Sequence, residues 1–196
     1  VLAGPGSGKT LTITKRIEYL IEKHHVKPEE ILVITFTKAA SVEMKERFFR
    51  LRNGKPAPVT FGTFHGIYYG ILKWAYRMNA GNILSEEEKY KLLKQVIGHM
   101  EIDIDDEKDF LQGIAGEIGT IKNNQIEIAD YDPLNCQASV FREIFAKYEE
   151  ERKRLKKIDF DDMLVLVYEL FKKRSDILRM WQNKFQYILI DEFQDI

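Results

Sequence analysis

The feature that most constrains this chain is a glycine-rich loop set between an apolar stub and an amphipathic helix. Ala3, Gly4, Pro5, Gly6, Ser7, Gly8, Lys9 and Thr10 follow Val1-Leu2. They fit the P-loop pattern, with Ala3 standing where the strict pattern has Gly. Glycines let successive backbone N–H groups turn inward around a polyphosphate, and the N-terminus of the following helix adds a favourable dipole. Lys9 can reach the β- and γ-phosphates, and the Thr10 hydroxyl can hold Mg²⁺. The segment predicts binding of a nucleoside triphosphate such as ATP.

Strands and helices alternate behind this loop. Ile13, Ile17, Leu20 and Ile21 mark one helical face. Ile31 to Phe36 is a near-continuous apolar run, as expected of a parallel strand buried on both faces. Ala40, Met44, Phe48 and Leu51 mark the next helix. Val59-Thr60-Phe61 reads as a short strand, with Gly62 opening a helix that carries Phe64, Tyr68, Ile71 and Ala75. This alternation predicts an α/β fold with a parallel, doubly wound sheet.

From about residue 77 the rhythm becomes wholly helical. Ser85 followed by Glu88 is a capping box, and Leu92, Leu93, Val96 and Ile97 face inward behind it. Glu101 to Asp109 reads as an acidic surface loop. Ile114, Ile118 and Ile121 predict a helix weakened by Gly113, Gly116 and Gly119, and Phe141, Ile144, Phe145, Tyr148 and Leu155 predict a long amphipathic one. Met163 to Phe171 then reads as an apolar helix, and Tyr187 to Ile190 as a buried strand. The expected organisation is an α/β part at 1–76, an all-helical insertion at 77–155 and a returning α/β part at 156–196.

That last strand ends in Asp191-Glu192, the Walker B arrangement. A carboxylate at the C-terminal end of such a strand can serve Mg²⁺, and a second beside it can orient and deprotonate an attacking water. Asp191 is therefore expected at the metal and Glu192 at the water.

Composition adds little. Net charge is −1, so no overall basic field announces nucleic acid, although a groove needs only a local cluster of Lys and Arg. The single cysteine, Cys136, cannot form an internal disulfide and fits a reducing compartment. No apolar run approaches the roughly 18–20 residues that span a bilayer. A cytoplasmic protein without membrane contact is expected. Arg152 to Lys157 is rich in Lys and Arg, but Glu143–Lys147, Glu149–Lys153 and Glu150–Arg154 are i,i+4 pairs typical of a solvated helix. No set of Cys and His has metal-ligand spacing. From their apolar surroundings alone, Phe36 and Phe64 read as core residues.

Taken in order, Leu2–Thr10, Ile34–Arg47 (which contains Thr35-Phe36-Thr37), Gly62-Thr63-Phe64-His65, Asp159-Phe160-Asp161-Asp162 and Ile190–Asp195 resemble the motif series of UvrD/Rep-type superfamily 1 DNA helicases. The resemblance implies a RecA-like ATP-binding domain with a helical subdomain inserted in it. It also implies ATP hydrolysis driving 3′-to-5′ movement on single-stranded DNA. By motif match, Lys9, Asp191 and Glu192 would be catalytic, with Gln194 coupling nucleotide state to the motor. Thr35, Phe36, Thr37, Thr63, Phe64 and His65 would lie on the DNA side of the sheet. Lys38 and Gly66 depart from the residues common in the family. A second RecA-like domain with transition-state arginines would lie C-terminal to the chain. The chain would then be an N-terminal ATP-binding fragment, nearly inactive alone, because loss of an arginine finger costs about 10³–10⁵ in rate. Two other readings fit a P-loop: a small-molecule kinase, which the Thr-Phe-Thr and Asp-Glu-Phe-Gln-Asp segments argue against, and a non-catalytic nucleotide- or DNA-binding scaffold.

Overall fold

A computed structural model describes residues 8–100, 102 and 104–193. The strand stub at 1–3, the loop residues Ala3 to Ser7, and Gln194 lie outside the described residues. The chain divides into two compact units. One runs to Ile67 and resumes at Leu170; the other is Tyr68–Glu169.

The first unit is built on a parallel sheet in the order β2-β1-β3, with β1 at Ile31–Thr35, β2 at Thr60–Thr63 and β3 at Tyr187–Ile190. All five residues of β1 are buried, because alternate side chains enter two different clusters. Ile31 and Val33 pack with Ile17 and Leu20 of α1 (Lys9–His24) and with Met44 and Phe48 of α2 (Lys38–Leu51). Leu32 and Ile34 pack on the opposite face with Phe64, Trp181 and Phe185. Phe64 opens α3 (Phe64–Tyr76), and Trp181 lies on α8 (Ser175–Lys184), a helix absent from the sequence reading. Layers on both faces of a parallel sheet are the α/β architecture expected from the alternation.

Three local expectations need correction. The strand run stops at Thr35, not Phe36, because Thr35 Oγ1 donates to the Thr37 carbonyl (2.9 Å) and Thr37 Oγ1 caps α2 by accepting from Ala40 N (3.1 Å). Phe36 is thereby turned outward, 65% exposed, so it is not a core residue. Gly62 belongs to β2, and the helix begins after Thr63, whose hydroxyl accepts from Gly66 N at 3.1 Å. The last strand is not buried throughout. Among the described residues β3 pairs only with β1, and at this rim Ile188 is 55% exposed.

The second unit is helical. It contains α4 (Glu86–Gly98), α5 (Glu107–Asn124), α6 (Ala138–Arg154) and most of α7 (Phe160–Lys173), beside short 3₁₀ turns. Its core gathers Leu93, Ile114, Ile118, Phe141, Ile144 and Tyr148. The capping box is present as read: Ser85 N donates to Glu88 Oε2 (2.9 Å) and Glu88 N to Ser85 Oγ (3.2 Å). The acidic stretch is not all loop, since Asp106 caps α5 and Glu107 to Asp109 form its first turn, where negative charge suits the helix dipole. Leu155 lies past the end of α6 and is exposed.

The charges of α6 are not simply solvated. Glu143–Lys147 (2.7 Å) and Glu149–Lys153 (3.8 Å) pair as read, but Arg154 pairs with Glu151 at 2.7 Å. Arg152, 7% exposed, turns inward to Glu149 and to Asp162 (3.0 Å). Lys122 meets Glu149, Asp159 and Asp162 at 2.7, 2.7 and 3.0 Å. Asp159 also accepts from Tyr148 Oη at 2.7 Å, and it caps α7 reciprocally with Asp162. This network ties the start of α7 to α5 and α6.

Candidate nucleotide site at the carboxyl edge of the sheet

Parallel register brings the ends of the three strands together. Thr35 is opposite Thr63, and Ile34 is opposite Ile190. Asp191 continues the ladder by one step, its N–H donating to the Ile34 carbonyl at 2.9 Å. Thr35, Thr63 and Asp191 therefore emerge at one edge, the carboxyl end, where open α/β sheets bind their ligands.

Lys9 arrives at the same edge from the first turn of α1. Its Nζ donates to Glu192 Oε2 at 2.8 Å, with both side chains about one-third exposed. Gly8 sits before it at φ 84°, a left-handed conformation that a side chain would strain. Among the described residues no side chain caps α1. Glu192 itself adopts φ 53°, and this sharp turn after the strand aims its carboxylate back at Lys9. Thr10 is half-buried in the same first turn, and its carbonyl accepts from Thr14 Oγ1 at 3.0 Å.

A pocket of about 300 Å³ is lined by Lys9, Asp191 and Glu192 together with Thr12, Arg16 and Phe193. The sequence reading did not include Thr12 and Arg16. Their spacing of three and seven from Lys9 puts all three on one helical face, and that periodicity was the available signal. Burial, and then the neighbouring Glu192 charge, push the Asp191 carboxyl above its ordinary value. An acid that resists ionisation in this way gains from a nearby cation. Among the described residues no three His, Cys, Asp or Glu side chains converge as a metal cage. Asp191 beside Glu192 is a donor set that would fit Mg²⁺, which takes one or two carboxylates and completes its shell from water and phosphate.

The other residues expected at this edge differ in availability. Thr35 is fully buried with its hydroxyl engaged by Thr37, so it positions the turn and offers no surface. Phe36, Thr37 and His65 are exposed, Thr63 is half-buried, and Phe64 is half-buried against Leu32 and Ile34. No helix among the described residues is long and apolar enough to cross a membrane.

Comparison with known proteins agrees with the motif series. The family model for the UvrD/REP helicase N-terminal domain matches residues 1–196. YjcD of Bacillus subtilis is 38% identical over the whole chain, which covers 26% of that protein. The ATP-dependent DNA helicase PcrA of Leuconostoc citreum is 33% identical and that of Staphylococcus aureus 32%, the chain covering 27% of each. The chain thus spans about a quarter of the length of these relatives. On the family match along its whole length, this chain belongs to the UvrD/Rep helicase family, as its N-terminal domain.

Proposed function

We propose that the chain is the ATP-binding part of a DNA motor that hydrolyses ATP·Mg²⁺ and moves 3′-to-5′ along single-stranded DNA. The observation that carries this reading is the Lys9–Glu192 contact at the sheet edge that also bears Asp191, Thr35 and Thr63. The backbone of Ala3 to Gly8 would cradle the phosphates. Lys9 would exchange Glu192 for the β- and γ-phosphates, releasing the Glu192 carboxylate to orient and deprotonate water. Thr10 and Asp191 would hold Mg²⁺, whose contribution when bound is to neutralise charge developing on the phosphoryl oxygens. Gln194 would report nucleotide state to the rest of the motor.

Phe36, Thr37, Thr63, Phe64 and His65 would face the DNA strand, with Thr35 holding the turn beneath Phe36. Exposure of Phe36 supports this, since an aromatic face turned to solvent is what a base stacks on. We read 1–76 and 156–196 as one RecA-like domain interrupted by the helical 77–155. A second RecA-like domain, supplying arginines, would complete the site, so the chain alone would turn over ATP poorly. A cytoplasmic location goes with a DNA substrate and a lone thiol.

The test is steady-state ATPase activity of the full-length protein with and without single-stranded DNA, beside Lys9→Ala. Stimulation by DNA that Lys9→Ala abolishes is the expected result. Lys9-dependent turnover indifferent to DNA would move a small-molecule kinase to the front. Nucleotide binding without turnover would leave a scaffold.

A further inference from the structure

We infer that the exposed face of α3 within the second unit is a further binding surface for a single nucleic-acid strand, with Trp74 as its stacking residue. This rests on the reading of the chain as a nucleic-acid motor and extends it beyond the carboxyl edge of the sheet.

From Tyr68 to Ser85, the first stretch of the second unit, the chain has no Asp or Glu, yet it carries Lys73 and Arg77. Within α3 and the residue just past its end, Gly70, Lys73, Trp74 and Arg77 are spaced i, i+3, i+4 and i+7 and are all exposed. Ile71 and Leu72 turn the other way and are buried. An amphipathic helix normally gives its outward face to solvated charges of both signs. Here that face holds two cations, no acid, and an indole that is 54% exposed. Such a face complements a strand that offers phosphates and flat bases together.

Gly70 strengthens the case. A mid-helix glycine is costly and needs a reason. Yet a Cβ built at Gly70 would meet nothing within 4 Å, so packing does not demand it. One turn before Trp74, the missing side chain leaves open backbone beside the indole, where a base could lie flat.

The test uses the full-length protein and a fluorescent oligothymidylate, with affinity read by anisotropy across a salt series and folding checked by melting temperature. Trp74→Ala should weaken binding about 5- to 150-fold, the effect of losing one base–aromatic stack, and Trp74→Phe should recover most of it. Lys73→Ala with Arg77→Ala should flatten the dependence of log affinity on log salt by about 1.4. Gly70→Leu, which places a helix-favouring side chain in open space, should keep or raise the melting temperature while weakening binding. Wild-type affinity in Trp74→Ala and Gly70→Leu would overturn the α3 surface and leave the motor reading intact. Failure of the wild type to bind the oligonucleotide would overturn both.

Discussion

Lys9 and Glu192, 183 positions apart in sequence, meet at 2.8 Å, the lysine that opens α1 held by the second acid after β3. A partly exposed pair of this kind contributes about 0–1 kcal/mol, so a polyphosphate can displace the carboxylate. Glu192→Gln is therefore expected to bind ATP as well as or better than the wild type, while turnover falls about 10²–10⁴-fold, the usual worth of a general base. Nucleotide titration beside steady-state ATPase assays separates the two effects. Undiminished turnover would remove Glu192 from the water-activating role.

Phe36 tests whether the exposed aromatic at the sheet edge serves binding or packing. It is expected that Phe36→Ala leaves the melting temperature within a degree or two, because the ring is largely in solvent. Affinity for single-stranded DNA should drop by about 1–3 kcal/mol. A large fall in melting temperature with unchanged affinity would make it a packing residue.

The buried network in the helical unit carries three carboxylates, Glu149, Asp159 and Asp162, against two cations, Lys122 and Arg152. Replacing Lys122 by Met would strand this charge, and a loss of about 3–5 kcal/mol is expected in denaturant unfolding. Adding Asp159→Asn to Lys122→Met should restore part of the loss, since it removes one of the unpaired charges.

The surplus negative charge of that network makes Asp162 its most readily protonated acid. Burial, reinforced by Asp159 and opposed by Lys122 and Arg152, raises Asp162 to about 6. Despite the cost of burial, Lys122 and then Tyr148 hold Asp159 well below the usual carboxylate range. A raised acid favours the fold in its protonated form. That contribution is complete below the ordinary aspartate value near 4 and is lost as pH rises through 6. Asp162→Asn should therefore gain on the wild type by about 1 kcal/mol between pH 5 and pH 7. Parallel pH profiles of the two variants, superimposable after a constant offset, would contradict the assignment.

Gly113 looks like a weak point of α5 and is the opposite. A Cβ there would overlap the Asn135 side chain, whose amide, with the Leu134 and Asn135 N–H groups, binds the buried Glu117 carboxylate. Gly113→Ala, usually a gain of about 0.5–1 kcal/mol in a helix, is expected to cost about 1–2 kcal/mol here by displacing that contact. Thermal melts of this variant and of Gly116→Ala, which has open space around it, provide the comparison.

Much of what gathers at the candidate site is legible in the sequence. Gly8-Lys9-Thr10, the β-branched run at Ile31–Thr35 and the Asp191-Glu192 ending depend on short-range rules of backbone freedom, strand periodicity and charge, and those rules act within a few residues of sequence. The inward residues of α1, α2, α4 and α5 followed from helical periodicity for the same reason. Other features depended on pairings far apart in the chain. Register decides that Thr35, Thr63 and Asp191 share one edge, and the turn at Glu192 decides that it meets Lys9. From its apolar neighbours alone Phe36 reads as core, whereas two threonine hydroxyls end the strand just before it and leave the ring exposed. The i,i+4 spacing on α6 describes an isolated helix and misses Arg152, which is buried because, besides Glu149 on its own helix, it meets Asp162 on the next one. Local sequence determined which elements form and which groups they carry; only tertiary structure decided which charges are buried together, because desolvation depends on what else arrives at the same place.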